Sequence, residues 1–137
     1  MFRTESVSPD HVRVGGEFKK QRGGERMKRV TAIIRREKLD AVKHAMRELG
    51  PGMTVTDVKG QGRQKGIMEV YRGSQYCLDL LPKTQIDMFV KTEDVERIVS
   101  TILEIAKTGN IGDGKIFISS VDDVIRIRTG ERGPGAV

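Results

Sequence analysis

From Met27 onward the apolar residues of this chain follow two alternating rhythms. RVTAIIR (29–35) is a short run rich in β-branched residues and predicts a strand. LDAVKHAMREL (39–49) spaces Leu39, Val42, Ala45, Met46 and Leu49 by three and four, which places them on one face of a helix. Gly50-Pro51-Gly52 then stops that helix. MTVTDVKG (53–60) alternates Met53, Val55 and the nearby Val58 with polar residues and predicts a second strand. A return strand lies within YCLDLLPKTQIDMFVK (76–91), with Ile86, Met88 and Val90 on one face. EDVERIVSTILEIAK (93–107) is helical again, striped by Val95, Ile98, Val99, Ile102 and Ile105. TGNIGDG (108–114) reads as a turn, KIFISSV (115–121) as a fourth strand and VIRIRT (124–129) as a short fifth.

Strand, helix, strand, strand, helix, strand is the split βαβ order of the ferredoxin-like βαββαβ fold, an α+β architecture. Its two helices cover one face of an antiparallel sheet. Ile86, Met88 and Val90 alternate with Asp87 and Phe89, so the opposite face is not purely solvated, and a closed symmetric oligomer is its expected cover. Two stretches fall outside this pattern. KGQGRQKGIMEVYRGSQY (59–76) is a basic, glycine-punctuated loop between strands, and a loop of that length inside a compact domain is either disordered or functional. Residues 1–26 are polar, mixed in charge and marked by Gly15-Gly16 and Gly23-Gly24. They read as a poorly ordered N-terminal extension. A mis-called start, with the functional domain beginning at Met27, is an equal reading. Residues 27–137 form the domain in either case.

Composition narrows the chemistry. A chain of 137 residues suits one domain, and 36% hydrophobic with only 4% aromatic residues requires an aliphatic core. The net charge of +6 favours anionic partners, whether nucleotides, nucleic acid or a membrane surface. Few aromatics interleave with the basic residues, which argues against a single-strand binder that works by stacking. A single cysteine, Cys77, excludes an internal disulfide and fits a reducing cytoplasm. No apolar run approaches a membrane span, and the N-terminal stretch lacks the apolar segment of a secretory signal.

Two motifs carry candidate chemistry. In TGNIGDGK, Gly109, Gly114 and Lys115 satisfy G-x-x-x-x-G-K, yet Ile116 stands where a magnesium-binding hydroxyl belongs, and the loop runs from helix into strand, the reverse of a P-loop. What remains is either a turn whose backbone N–H groups converge on an anion beside Lys115, or a plain turn with a solvated lysine. In RIR, a strand would put Arg126 and Arg128 on one face, roughly 6–7 Å apart along the chain. Two guanidiniums so placed suit a polyphosphate, and equally suit a solvated edge strand. Lys115, Arg126, Arg128, Arg63 and Lys65 would make a nucleotide site if they converge. His11 and His44 have no second ligand at metal spacing, Cys77 has no evident histidine partner, and Met46 is most simply core. No carboxylate pair is marked for acid–base work, so nothing in the chain demands an enzyme.

VKGQGRQKGIMEVYRGSQYCLDLLPK, TGNIGDGKIF and VIRIRTGE, together with AIIRREKLDAVKHAM and GMTV, resemble the PII nitrogen-regulatory signal-transduction family over residues 27–137. The resemblance implies a non-enzymatic cytoplasmic homotrimer that binds ATP or ADP in clefts between subunits, and 2-oxoglutarate beside ATP and Mg²⁺ at the base of a long T-loop. It implies that Thr54, Gly62, Arg63, Asp87, Phe89, Gly112, Asp113, Gly114, Lys115, Arg126 and Arg128 meet the nucleotide. Asp87 and Phe89 stand where the family more often has Glu and an aliphatic residue. Gln64, Lys65, Gly66 and Lys83 would take 2-oxoglutarate, with Gln64 also on Mg²⁺, to which an amide oxygen is a suitable hard donor. At the loop tip Arg72 matches a residue that plugs ammonium channels, while Tyr76 and Ser74 match modified positions. Arg36 and Gln61 depart from a common proline and a common aromatic.

The function implied is a sensor of adenylate charge and 2-oxoglutarate that acts through its T-loop on nitrogen-assimilation targets. The target stays open among an ammonium transporter at the membrane, glutamine synthetase, its modifying enzyme, nitrogenase control and a transcription factor. A nucleic-acid module of the same fold is the first rival, but the stacking aromatics of a sheet-surface RNA binder are absent and no nucleic acid is expected. A nucleotide hydrolase is the second, and no water-activating residue stands out.

Overall fold

The computed structural model describes residues 11–20, 26–61, 67–71, 74–78 and 80–137, with the strand residues of 11–20 and all of 67–71 and 74–78 placed by their backbone alone. Within the N-terminal stretch, β1 (His11–Val14) and β2 (Glu17–Lys20) pair antiparallel as their own two-stranded sheet. Gly15 and Gly16 join them with φ of 57° and 86°, the backbone that a tight hairpin of this hand requires.

The main sheet has four strands: β3 (Met27–Ile34), β4 (Thr54–Gly60), β7 (Leu81–Lys91) and β8 (Gly114–Ser120). Their order is β4-β7-β3-β8, every pair antiparallel, with α1 (Leu39–Leu49) and α2 (Val95–Ala106) as the crossovers. This is the ferredoxin-like βαββαβ arrangement. Alternation along the strands selects the core. Val30, Ala32, Ile34, Ile86, Met88 and Val90 point to the helix side and meet Val42 and Met46 of α1 and Val95, Ile98 and Ile102 of α2. Leu39, Ala45, Leu49, Val99 and Ile105 pack around that cluster, so both predicted helical stripes face the sheet. Gly50 closes α1 in the left-handed conformation, at φ 94°, and donates to the Met46 carbonyl at 2.9 Å.

Two expectations change. Part of the stretch read as an uninterrupted loop is an antiparallel ribbon of β5 (Ile67–Tyr71) and β6 (Ser74–Leu78), in register from Ile67↔Leu78 to Tyr71↔Ser74. The fifth strand expected at 124–129 does not form. That segment makes one isolated bridge, Ile125 with Arg132, and folds back on itself. The Arg126 N–H donates to the Glu131 carbonyl at 2.9 Å, Gly130 N–H to the Arg126 carbonyl at 2.7 Å, and Gly133 N–H to the Val124 carbonyl at 3.0 Å. Local closure uses the backbone groups that a ladder would need. Strand alternation therefore does not relate Arg126 to Arg128.

Candidate functional site

Gln85, Asp87 and Phe89 occupy the β7 positions that point away from the helices, and the register sets Thr54 of β4 beside Asp87, Thr31 of β3 on its other flank, and Phe117 of β8 beyond Thr31. Asp87 is the charged residue buried at the centre of this face, 8% exposed. Its Oδ1 accepts from Thr31 Oγ1 at 2.6 Å and Arg29 Nε at 3.0 Å, and its Oδ2 accepts from Gln85 Nε2 at 2.9 Å. Burial pushes the Asp87 carboxyl upward, but these hydrogen bonds and the Arg29 charge outweigh it and hold the group below its ordinary range. The same Arg29 guanidinium lies 5.9 Å from the centroid of the Phe89 ring.

Thr54, Asp87 and Phe89, grouped by the family resemblance, share a cavity of about 470 Å³ whose far wall is Val121, Asp123 and the C-terminal Val137. The C-terminal wall follows from the closure described above. Asp123 is paired with Arg132 at 2.8 Å and accepts from the N–H groups of Val124 and Gly133 at 2.9 and 3.2 Å. The Arg132 hydrogen bond is the main cause that lowers the Asp123 pKa, against the opposing effect of burial. Arg126 belongs to this side of the molecule. Its guanidinium pairs with Glu131 at 2.9 Å and donates to the Gly135 carbonyl at 3.1 Å, one residue before the cavity-lining Ala136.

A second cluster forms at the loop between α2 and β8. Gly109, Gly112 and Gly114 have φ of 87°, 104° and 99°, so the chain reverses sharply there. Asp113 holds the reversal from inside. Its carboxylate accepts from the Thr108 hydroxyl, from the N–H groups of Thr108 and Gly109 at 2.8 and 2.9 Å, and from Arg35 Nε at 3.0 Å. The Thr108 hydroxyl is the first cause that drives the Asp113 carboxyl far below the usual carboxylate range. Arg35 also donates to the Ile111 carbonyl at 2.9 Å, and Lys83 Nζ to the Gly112 carbonyl at 2.5 Å. Burial, and then the neighbouring Arg35 charge, lower the Lys83 pKa, while Glu37 and Asp113 oppose them. Lys83 thus meets the loop to which the sequence reading assigned phosphate binding.

The two clusters lie toward opposite ends of the strands: Asp87 and Phe89 sit in the second half of β7, on the side of the start of β3 and the end of β8, whereas Lys83 sits near the start of β7, on the side of the end of β3 and the start of β8. Thr54 is on β4 and Lys115 on β8, separated by three inter-strand spacings, about 14 Å. Arg126 is tied to Glu131 and Gly135 in the C-terminal turn, and Arg128 sits in an exposed turn. Gly62, Arg63, Gln64, Lys65, Gly66 and Arg72 lie outside the described residues, as the proposed magnesium ligand Gln64 must be read from sequence alone. Ser74 and Tyr76 lie on β6, in register with Tyr71 and Glu69. Among the described residues no group of three or more His, Cys, Asp or Glu could hold a metal, and no helix is long and apolar enough to cross a membrane. Sequence reasoning missed Arg35, Thr108, Arg29 and Glu131. Thr108 and Glu131 each lie five residues from their partners and carried a local signal, whereas Arg35 and Arg29 meet theirs across 78 and 58 residues and carried none.

The family described as Nitrogen regulatory protein P-II matches residues 27–131, which include Thr54, Asp87, Phe89, Asp113, Lys115 and Arg126. The chain belongs to the P-II family. It is 59% identical over 112 residues to Nitrogen regulatory protein P-II 1 of Methanothermobacter thermautotrophicus, covering 81% of this chain and 97% of that one. It is 54% identical over 112 residues to Nitrogen regulatory protein P-II 1 of Escherichia coli, covering 81% of this chain and all of that one. Among solved structures, Arabidopsis thaliana PII bound to citrate superposes with a TM-score of 0.67 at 38% identity, over 82% of this chain and 94% of that one. As a P-II protein the chain is a nitrogen-regulatory signalling protein, not an enzyme.

Proposed function

We propose that this P-II protein is a homotrimeric sensor. It binds ATP or ADP in clefts between subunits, takes up 2-oxoglutarate with Mg²⁺ and ATP, and reports through the T-loop to nitrogen-assimilation targets such as an ammonium transporter or the glutamine synthetase system. The observation that carries this reading is the division of the candidate binding residues between the two ends of the strands. Thr54, Asp87 and Phe89 share a cavity toward one end of the strands, with Arg126 tied to Gly135 beside its Ala136 wall, while Lys83 and the Gly112–Lys115 loop form a cationic, glycine-rich cradle toward the other end. Two halves held apart in this way would be completed by a neighbour that places its cradle against this cavity. A repeated head-to-tail contact of that kind forms a ring when its rotation closes.

The chemistry of each half suits its share of the ligand. Successive glycines with positive φ let backbone N–H groups approach phosphate oxygens, with Lys115 supplying charge. Lys83, bonded to the Gly112 carbonyl, stands where a carboxylate ligand would be read together with the phosphates. Gln64 would offer Mg²⁺ its amide oxygen. The citrate on the Arabidopsis protein is a small polycarboxylate, the chemical class of 2-oxoglutarate.

The test is a calorimetric titration of 2-oxoglutarate into the protein with ATP and Mg²⁺, then with ADP. Binding with ATP–Mg²⁺ and little with ADP is expected, because ADP lacks the γ-phosphate that completes the metal shell. By linkage, 2-oxoglutarate must tighten ATP by the same factor. Equal affinity in the two backgrounds would refute the sensor reading.

A further inference from the structure

The last residues of the chain are built around one arginine. The Arg126 guanidinium is held by the Glu131 carboxylate at 2.9 Å on one nitrogen and by the Gly135 carbonyl at 3.1 Å on another. The backbone reinforces the arrangement, since Arg126 N–H donates to the Glu131 carbonyl and Gly130 N–H to the Arg126 carbonyl. The Asp123–Arg132 pair anchors the turn from the other side. Gly135 fits this packing because it has no side chain. A Cβ there would lie 2.7 Å from Glu131 Oε1. The two residues that follow, Ala136 and Val137, wall the cavity shared by Thr54, Asp87 and Phe89. One short segment therefore both neutralises the cation and covers the cavity that the cation would serve.

We propose that Glu131 is a positioning residue that gates this site through Arg126. In the closed arrangement Glu131 and the Gly135 carbonyl use the guanidinium donors that an anionic ligand needs. An entering phosphate displaces Glu131, takes the same donors as a more highly charged acceptor, and frees the turn at 134–136 from Arg126. The gate rests on the nucleotide reading above and adds to it a competitor built into the chain. Because Arg126 and Glu131 are both partly exposed, at 37% and 47%, their pairing is of the kind worth little in water. It should weaken ligand affinity by about two- to five-fold, enough to tune the sensor without closing it.

The full-length protein, Glu131→Gln, Arg126→Ala and the double variant are titrated with ATP by calorimetry, and hydrogen exchange at 131–137 is followed with and without ATP. The gate predicts that Glu131→Gln tightens ATP by about two- to five-fold, the opposite sign from loss of a structural residue. It predicts that this gain vanishes in the Arg126→Ala background, and that exchange at 131–137 quickens on ATP binding. ATP binding that is unchanged or weaker in Glu131→Gln, or exchange that slows, overturns the gate and leaves the sensor standing. A wild-type protein that binds no ATP overturns both.

Discussion

Asp87 and Asp113 were both grouped with the nucleotide-contacting residues, and the structure turns both carboxylates toward their own chain. Asp87 ties three strand-borne side chains into one knot, and Asp113 ties the glycine loop to Arg35 and Thr108. Because the folded-state pKa of Asp87 lies below 3.8, its contribution is fully present above that value and is lost as pH falls through the folded pKa. Thermal melts should therefore show an acid limb below about pH 4. Asp87→Asn should flatten this limb and lower stability at neutral pH by about 1–3 kcal/mol, since Thr31, Gln85 and Arg29 lose their shared acceptor. An unchanged pH profile in Asp87→Asn would show that the knot is not a source of stability. For the cations, Lys115→Ala or Arg126→Ala should each weaken ATP by about 1.5–3 kcal/mol, the value of one charge-assisted hydrogen bond. Calorimetry that finds wild-type affinity in both variants would remove them from the site.

At the scale of elements, two glycines have left-handed backbones with different consequences. Gly50 ends α1 at φ 94° with nothing within 4 Å of an added Cβ, so Gly50→Ala should cost only the backbone strain, about 1–2 kcal/mol. Gly114 opens β8 at φ 99°, and an added Cβ would lie 1.7 Å from the Ile33 carbonyl oxygen. Gly114→Ala should thus cost clearly more, because the first rung between β3 and β8 must open and the loop that carries Asp113 must shift with it. Urea midpoints of the two variants check the order, and similar losses would mean that the β8 edge yields easily. The segment 124–129 teaches a related point. Its alternation of Val, Ile and Arg is good strand sequence, but the reversal at Gly130, φ 71°, gives its backbone partners a few residues away.

In the whole molecule, α1 and α2 both cover the same sheet face and leave the other to the C-terminal turn. Phe89 and Phe117 stay 42% and 52% exposed there, around the Arg29–Asp87 knot, and apolar surface of this kind calls for a cover. A trimer is expected in solution by light scattering, with or without ATP, and a stable monomer at micromolar concentration would refute it. Phe117→Asp should shift the equilibrium toward smaller species, since it sets a charge on that face without touching the core residues Val30, Ile86 or Met88. Retention of a wild-type mass in Phe117→Asp would place the contact elsewhere.

Periodicity by itself determined the two helices, the four sheet strands, the core stripe and the βαββαβ order, because burial of one face imposes a local repeat that any window of the chain displays. Thr54, Asp87 and Phe89 were grouped by the resemblance to the PII family, not by periodicity, and the register of β4 against β7 brings them into one cavity. What the tertiary structure alone decided are relations between distant residues and competitions between bonding partners. Whether Arg126 and Arg128 share a face depended on whether 124–129 finds a ladder or closes locally, and local closure won. That Arg35 braces Asp113, that Lys83 reaches the Gly112 carbonyl, and that Thr54 and Lys115 lie at opposite edges follow from strand order and crossover geometry. No periodic signal encodes these relations, because a pairing across tens of residues leaves no repeat in the sequence between them.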